Sequence, residues 1–427
     1  MSQHSVAFHT LGCKTNQLET STLAETFQAR GWRVVPFDEA ASVYVINTCT
    51  VTERSDQESR RVIRRARLSN PNARIAVTGC YAQIAPDEVA ALDGVHVVVG
   101  NQLKDQLAQI VETAMATDTP VIQVTEIDKS RVLAGGTVSA PGRTRGSLKI
   151  QDGCDYKCTY CIIWEARGPS RCLSVPDVQT QLARMVAEGF KEVVLTGINI
   201  GQYDWQGTDL AGLLRNLIQV EGDFRLRLSS LDPLEVTPEL IAVMADSQGK
   251  ICPHLHLSAQ SADDMVLKRM ARRHHVDHFQ AVCQQFTQAM PQGCIGSDII
   301  VGFPGETDAQ FENTARVLAE TPIHYFHVFS YSRRRGTPAA SLPQQVPQRQ
   351  IQARARQLTA LSEEKFLAFR EGLMGKTVEV IVEESGNKGM SEQYCHLNLV
   401  GPAPLSQNQK VLARLIDADT ARVEAVL

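Results

Sequence analysis

The chain has 427 residues, 43% of them hydrophobic and 21% charged, with a formal net charge of −4. That length asks for two to four domains, and the composition excludes a disordered or fibrous protein. The charge points to no polyanionic partner by itself, so any nucleic-acid-binding face has to be local. No apolar run approaches the roughly 18 residues of a membrane span, and the start "MSQHSVAFHTLGCK" has no basic segment followed by an apolar one. A cytoplasmic protein with no membrane partner is expected. Eleven unevenly spaced cysteines favour metal or catalytic use over a disulfide framework.

Residues 1–125 alternate helical and strand patterns. "QLETSTLAETFQAR" carries Leu18, Leu23 and Phe27 at helical spacing, with Gly31 where a C-terminal cap belongs. "SVYVINTC", "RIAVTGC" and "VHVVVGN" are short β-branched runs of the kind buried in parallel sheets. Cys13, Cys49 and Cys80 each stand just beyond a predicted strand, at the sheet edge where ligands bind. The competing reading is three unrelated core cysteines, since free cysteine is often buried.

Residues 126–146 include "AGGTVSAPGRTRG", a linker composition. Residues 147–372 then repeat the alternation, with strands at "SLKIQ", "EVVLTG", "FRLRLSS", "PHLHLSA", "IGSDIIVG" and "IHYFHVFS". Helical stretches such as Asp177–Glu188 and Ala309–Ala319 separate them. Six such repeats fit a partial (β/α)6 TIM-like barrel that works at the carboxyl ends of its strands. In residues 373–427 the period changes to two, as in a small antiparallel β-barrel. The fold class expected is therefore α/β: a parallel α/β sheet domain, a partial barrel and a small C-terminal β-barrel.

The stretch "GCDYKCTYC" places Cys154, Cys158 and Cys161 in a loop after the first barrel strand. Four thiolates saturate a four-iron cube; three leave one iron open, the mark of a reactive rather than structural metal site. Zinc with Cys172 as a fourth ligand is the bland alternative.

"IQDGCDYKCTYCIIWEARGPSR" resembles the cluster motif of radical S-adenosylmethionine (SAM) enzymes, and "LGCKTNQ", "NTCTVT" and "TGCYAQ" resemble the N-terminal motifs of the methylthiotransferase family. "VGFPGET" and "SYSRRRGTPAA" match that family too, and the last segment is similar to its RNA-binding TRAM barrel. The resemblance implies two 4Fe-4S clusters and SAM as cofactors. Cys154, Cys158 and Cys161 would hold the cluster that cleaves SAM to a 5′-deoxyadenosyl radical. Cys13, Cys49 and Cys80 would hold a second, whose open iron carries the sulfur or methylthio group. The reaction implied replaces an unactivated C–H bond with a methylthio group, one SAM supplying the methyl and another the radical.

Within the family the motifs are most like the MtaB type, which modifies N6-threonylcarbamoyladenosine beside the tRNA anticodon. The partners implied are the tRNA anticodon stem-loop and an electron donor of flavodoxin or ferredoxin type; oligomeric state is not legible. The same chemistry on isopentenyladenosine or on a ribosomal-protein aspartate is the alternative, and a non-catalytic iron–sulfur RNA-binding or redox-sensing protein is a second. Trp164 and Glu165 replace the family's usual proline and aromatic residue, Ala262 a glycine and Cys172 a serine. No side chain is singled out as catalytic. Gly197, Asn199, Ser229, Ser230 and Gln260 end barrel strands where they would meet SAM. Arg167 would contact substrate or pair with a local carboxylate.

"RSDQESRRVIRRAR" holds Arg54, Arg60, Arg61, Arg64, Arg65 and Arg67, of which Arg60, Arg64 and Arg67 share one helical face. A phosphate contact near Cys49 is expected there. A second basic stretch, 330–371, includes Arg333, Arg334 and Arg335. Tyr394 is the aromatic residue of the C-terminal segment suited to stacking.

Overall fold

The β-branched runs of the N-terminal segment form a six-stranded, wholly parallel sheet. A computed structural model describes residues 4–117, 119–130, 132–133, 144–383, 386–400 and 405–426. Residues 134–143 of the expected linker lie outside the described residues. The chain divides into two compact units, the first from residues 1–140, 151–171 and 332–340 and the second from the remainder.

In the first unit the elements are β1 (Ser5–Thr10), α1 (Lys14–Ala29), β2 (Arg33–Val35), β3 (Val43–Thr48), α2 (Glu53–Ser69), β4 (Arg74–Gly79), α3 (Cys80–Ile84), α4 (Pro86–Ala90), β5 (Val95–Val99), α5 (Leu107–Ala114) and β6 (Val121–Gln123). The strand order is β2-β1-β3-β4-β5-β6, every pair parallel. All six residues of β3 are buried. Successive side chains point to opposite faces, so Val43 and Val45 pack with Leu23, Phe27 and Val111, while Tyr44 and Ile46 pack with Val62 and Ile63 of α2. The order reverses direction between β1 and β3. This is a topological switch point, where connections diverge to opposite faces and leave a crevice.

The second unit holds six parallel strands: β7 (Gly146–Lys149), β8 (Glu192–Thr196), β9 (Arg225–Leu228), β10 (His254–Gln260), β11 (Cys294–Val301) and β12 (Tyr325–Ser330). They form two three-stranded ladders joined by the parallel bridges Leu226–Ile251 and Leu231–Leu257. The neighbours follow chain order, as in a partial TIM-like barrel. The expected helices are present at Val175–Ala187 and Asp308–Glu320. Ser174 and Thr307 cap them, accepting from the backbone N–H of Asp177 and Gln310. Both therefore start earlier than hydrophobic spacing alone places them.

The C-terminal segment closes into a barrel of β13 (Thr377–Val382), β14 (Lys388–Ser391), β15 (His396–Val400), β16 (Lys410–Asp417) and β17 (Arg422–Val426), in the order β13-β14-β15-β17-β16. Val378, Val380, Leu397, Leu399, Leu415 and Val423 fill it. Four of its pairings are antiparallel and the β15–β17 pairing is parallel. Closure requires it: the last strand fills the gap beside the third and leaves no exposed edge. Glu192, at the amino end of β8, lies wholly buried between Arg225 and Arg227. Those guanidiniums reach on to the carbonyls of Glu379, Met390, Ser391 and Glu392. The small barrel thus covers the amino ends of β8 and β9 and leaves their carboxyl ends free for the site.

Candidate active site

Three of the six cysteines converge at the switch point of the first unit. Thr10 pairs with Asn47 and Thr48 with Gly79 across β1, β3 and β4, so the residues that follow these strands share one edge. Cys13 caps α1 and is exposed, Cys49 is buried beyond β3, and Cys80 begins α3. Gly12, at φ +93°, lies so close to Cys49 that an added Cβ would fall 2.7 Å from its sulfur. The asparagines after Cys13 and before Cys49 fix the loops. Asn16 Nδ2 donates to the carbonyls of Leu11 at 2.8 Å and Thr48 at 3.0 Å, and Asn47 Nδ2 donates to the Asn16 carbonyl at 2.9 Å. Burial, with Cys80 and Cys13 adding to it, pushes the Cys49 thiol up to about 11.

Cys154, Cys158 and Cys161 lie in the same unit. Gly153 adopts φ +80° and packs so tightly that an added Cβ would sit 2.0 Å from the Pro169 carbonyl oxygen. The Cys154 N–H donates to the Gly168 carbonyl at 2.9 Å. Backbone N–H groups point at two of the sulfurs: Tyr156 at Cys154 and Ile163 at Cys161, each at 3.4 Å. Burial pushes the Cys161 thiol up to about 12, and the nearby Cys158 and Cys154 add to it. Crowded thiols of this kind ionise only against a cation, and N–H donors to sulfur are among the groups that tune iron–sulfur clusters. Both cysteine sets therefore fit a three-thiolate cluster.

Arg167 belongs to the helix Ile163–Arg167 and is 1% exposed. Its guanidinium pairs with Glu19 and, at 3.3 Å, with Asp152; it donates to Asn16 Oδ1 at 2.5 Å and to the Cys80 sulfur at 3.4 Å. Of the two roles expected for it, carboxylate pairing describes this geometry. Lys104, also buried, joins at 2.5 Å from Glu19. Neither Glu19, in α1, nor Lys104, in the short turn before α5, stands in a cysteine motif, and an isolated charged residue reads as solvent-facing, so neither is legible in the sequence. Arg334, within "SYSRRRGTPAA", donates to the Thr50 carbonyl at 2.9 Å and pairs with Asp56 at 3.1 Å, next to Cys49.

The basic stretches need correcting. Arg60 is held by Tyr81, by Glu88 from beyond the helix and by Glu53 of its own first turn, and Arg67 by Asp93; two of the three arginines of the expected phosphate-binding face are thus engaged by acids. Arg54, Arg61, Arg64 and Arg65 are the exposed ones. In the second stretch Arg334 is internal, as is Arg354, paired with Glu306. Tyr394 stacks on His254 at 4.6 Å beneath Arg227, so it is engaged within the second unit.

In the second unit, Gly197 and Asn199 follow β8, Ser229 and Ser230 follow β9, and Gln260 ends β10. The Ser229 N–H bonds the Leu195 carbonyl at 3.1 Å, bringing the first two ends side by side. Asn199 Nδ2 donates to Glu235 at 2.8 Å. Gln260 takes φ +69° at a register shift in β10, a strained conformation of the kind functional sites keep. Glu235 was not legible beforehand; it is placed by a capping box with Asp232. The Cys172 thiol donates to the Gln202 carbonyl at 3.7 Å, and its sulfur accepts the Asp204 N–H at 3.4 Å. That engages the sulfur the zinc alternative required.

An N-terminal parallel α/β domain, a partial barrel and two three-cysteine sets define a class, and the comparisons agree with it. The model of the radical SAM superfamily matches residues 148–318, and that of Uncharacterized protein family UPF0004 matches residues 5–100. The chain is 42% identical to the threonylcarbamoyladenosine tRNA methylthiotransferase MtaB of Bacillus subtilis, over 89% of this chain and 85% of that one. It is 39% identical to the MtaB of Aquifex aeolicus, over 95% and 99%. It is 35% identical to the tRNA-2-methylthio-N(6)-dimethylallyladenosine synthase of Novosphingobium aromaticivorans, over 88% and 86%. Among solved structures, the radical SAM methyltransferase TsrM of Kitasatospora setae shares the fold, with a TM-score of 0.57 at 14% identity over 77% of this chain and 73% of that one. The chain belongs to the radical SAM tRNA methylthiotransferase family and is most similar to its MtaB branch.

Proposed function

We infer that this protein converts N6-threonylcarbamoyladenosine in tRNA to its 2-methylthio derivative. One observation carries the reading: two sets of three cysteines lie in one unit, and in each set one thiol is pushed up by burial and by the other two. Cys13, Cys49 and Cys80 would hold one 4Fe-4S cluster, and Cys154, Cys158 and Cys161 the one that takes SAM. Gly197, Asn199, Ser229, Ser230 and Gln260 would line the SAM pocket. When bound, these cofactors supply the one-electron chemistry that replaces a C–H bond, which no side-chain acid or base achieves at neutral pH. The chain's own contribution is positional: Asn16 and Asn47 lock the first two cysteine loops, and Arg167 sets a positive charge against the Cys80 sulfur.

The division of labour proposed is residues 1–125 for the second cluster, 126–146 as linker, 147–372 for SAM, and 373–427 as a TRAM-like RNA-binding barrel. The anticodon stem-loop is the tRNA part engaged, with a flavodoxin- or ferredoxin-type donor supplying electrons. No helix among the described residues is long and apolar enough to cross a membrane, in keeping with a cytoplasmic enzyme.

Mass spectrometry of nucleosides from bulk tRNA, with and without the gene in its host, tests this reading. Loss of 2-methylthio-N6-threonylcarbamoyladenosine alone is expected. The dimethylallyl-type relatives favour one second reading, and loss of the isopentenyl counterpart instead would select it. Unchanged methylthio nucleosides would overturn both.

A further inference from the structure

Three side chains of the second unit meet without any part in the chemistry above. We propose that His256 of β10, Asp298 of β11 and His327 of β12 form a binding site for a divalent transition-metal ion, zinc foremost. One ligand atom from each lies within 4.8 Å of the others, and no ion is present. His256 Nε2 is 3.0 Å from Asp298 Oδ1.

The placement follows from register. Leu255 and Leu257 of β10, and Ile295 and Ile299 of β11, are fully buried on one face of the strands. Period two sends His256 and Asp298 to the other face. Asp298 is directly paired with His327, and His256 with Gly296, two residues from Asp298 along the same strand. Two imidazoles and one carboxylate from three adjacent strands thus converge.

The residues around the three fit ligation. A metal-bound imidazole uses one ring nitrogen and normally hydrogen-bonds through the other, which fixes its tautomer. His256 Nδ1 is 3.1 Å from the Tyr325 hydroxyl, which is itself 2.9 Å from His254 Nε2. With Nδ1–H donating to Tyr325, the Nε2 lone pair is turned toward Asp298 and His327. Gly296 makes this possible: a Cβ there would fall 2.1 Å from the Tyr325 ring, so only glycine lets that ring cross β11 and hold His256. His327 is exposed, which gives an ion a way in. Two histidines and a carboxylate leave coordination positions open, the arrangement of reactive rather than structural sites.

The test uses the cluster-loaded full chain, so that vacant cysteines do not capture zinc. Equilibrium dialysis against buffered micromolar Zn2+, followed by elemental analysis, should find one zinc per chain beyond the iron. The zinc X-ray absorption should fit nitrogen and oxygen neighbours near ~2.0–2.1 Å without the sulfur shell near ~2.3 Å. Asp298→Asn and His327→Ala should lose that zinc with iron content unchanged; His327 is exposed, so its truncation does not threaten the fold. Tyr325→Phe should weaken binding on the order of 10–100-fold. No zinc in the wild-type chain, equal zinc in the Asp298→Asn and His327→Ala variants, or a sulfur shell would each overturn the site.

Discussion

Arg167 carries its charge into the interior, almost wholly shielded from solvent. Burial works against that charge, yet the carboxylates of Glu19 and Asp152 and the Cys80 sulfur hold the guanidinium's pKa well above its usual value. Removing one partner of such a buried pair costs about 3–5 kcal/mol, because the other charge stays behind. Arg167→Gln is therefore expected to lose that much in urea unfolding, whereas truncating the exposed pair Arg184–Glu188 should cost under ~1 kcal/mol. Gly153 makes a second test at this scale. With φ +80° and a carbonyl oxygen where a Cβ would go, alanine cannot be fitted without moving the loop that carries Cys154. Two four-iron cubes give about eight irons per chain. Gly153→Ala should lower that to about four, measured as iron per chain after anaerobic reconstitution. A value still near eight would count against the role given to that loop.

At the scale of elements, one buried carboxylate holds the two guanidiniums that reach from the partial barrel to the small barrel. Burial alone would raise the pKa of Glu192, but the guanidiniums of Arg227 and Arg225 bring it down from 4.5 to about 2. A carboxyl depressed in the folded state adds stability that is complete above its unfolded pKa and lost as the pH falls through the folded one. The difference corresponds to about 3 kcal/mol, fading between pH 4.5 and about 2. Acid unfolding of the Glu192→Gln variant should show a shallower pH dependence across that window. A slope equal to the wild type's would remove Glu192 from the account. The exposed arginines of α2 act at this scale too. Arg54 and Arg64 point outward, and each phosphate contact contributes close to one to the slope of log affinity against log salt. Replacing both by alanine should lower the salt slope of tRNA binding by about two without altering iron content.

At the scale of the whole molecule, the two cysteine sets are separable by substitution. Cys13, Cys49 and Cys80 changed together to alanine should leave about four irons and the ability to cleave SAM. Methylthio transfer to tRNA should be lost, as read by nucleoside mass spectrometry. If SAM cleavage vanished as well, the assignment of separate roles would fail.

The cysteine positions were legible because a strand followed by a loop puts the loop residue at the sheet edge, and strand runs such as "VYVINT" announce themselves by β-branching. The partial barrel was legible for the same reason, being built of repeated local patterns. The small barrel was legible up to its closure: local alternation gives strands, but the parallel β15–β17 pairing is a decision between segments distant in sequence. The arginine face of α2 misled, since helical periodicity says which side chains share a face and not that Glu88 and Asp93 will meet Arg60 and Arg67 from beyond the helix. The sequence by itself determined the strand ends that carry the cysteines and the family, both carried by residues close together along the chain. Only the tertiary structure decided which charges are buried together. Glu19 with Arg167, Glu192 with Arg225 and Arg227, and His256 with Asp298 and His327 lie dozens to more than a hundred residues apart or on separate strands. The pairing of a buried charge depends on desolvation in the packed chain, a property that no local pattern encodes.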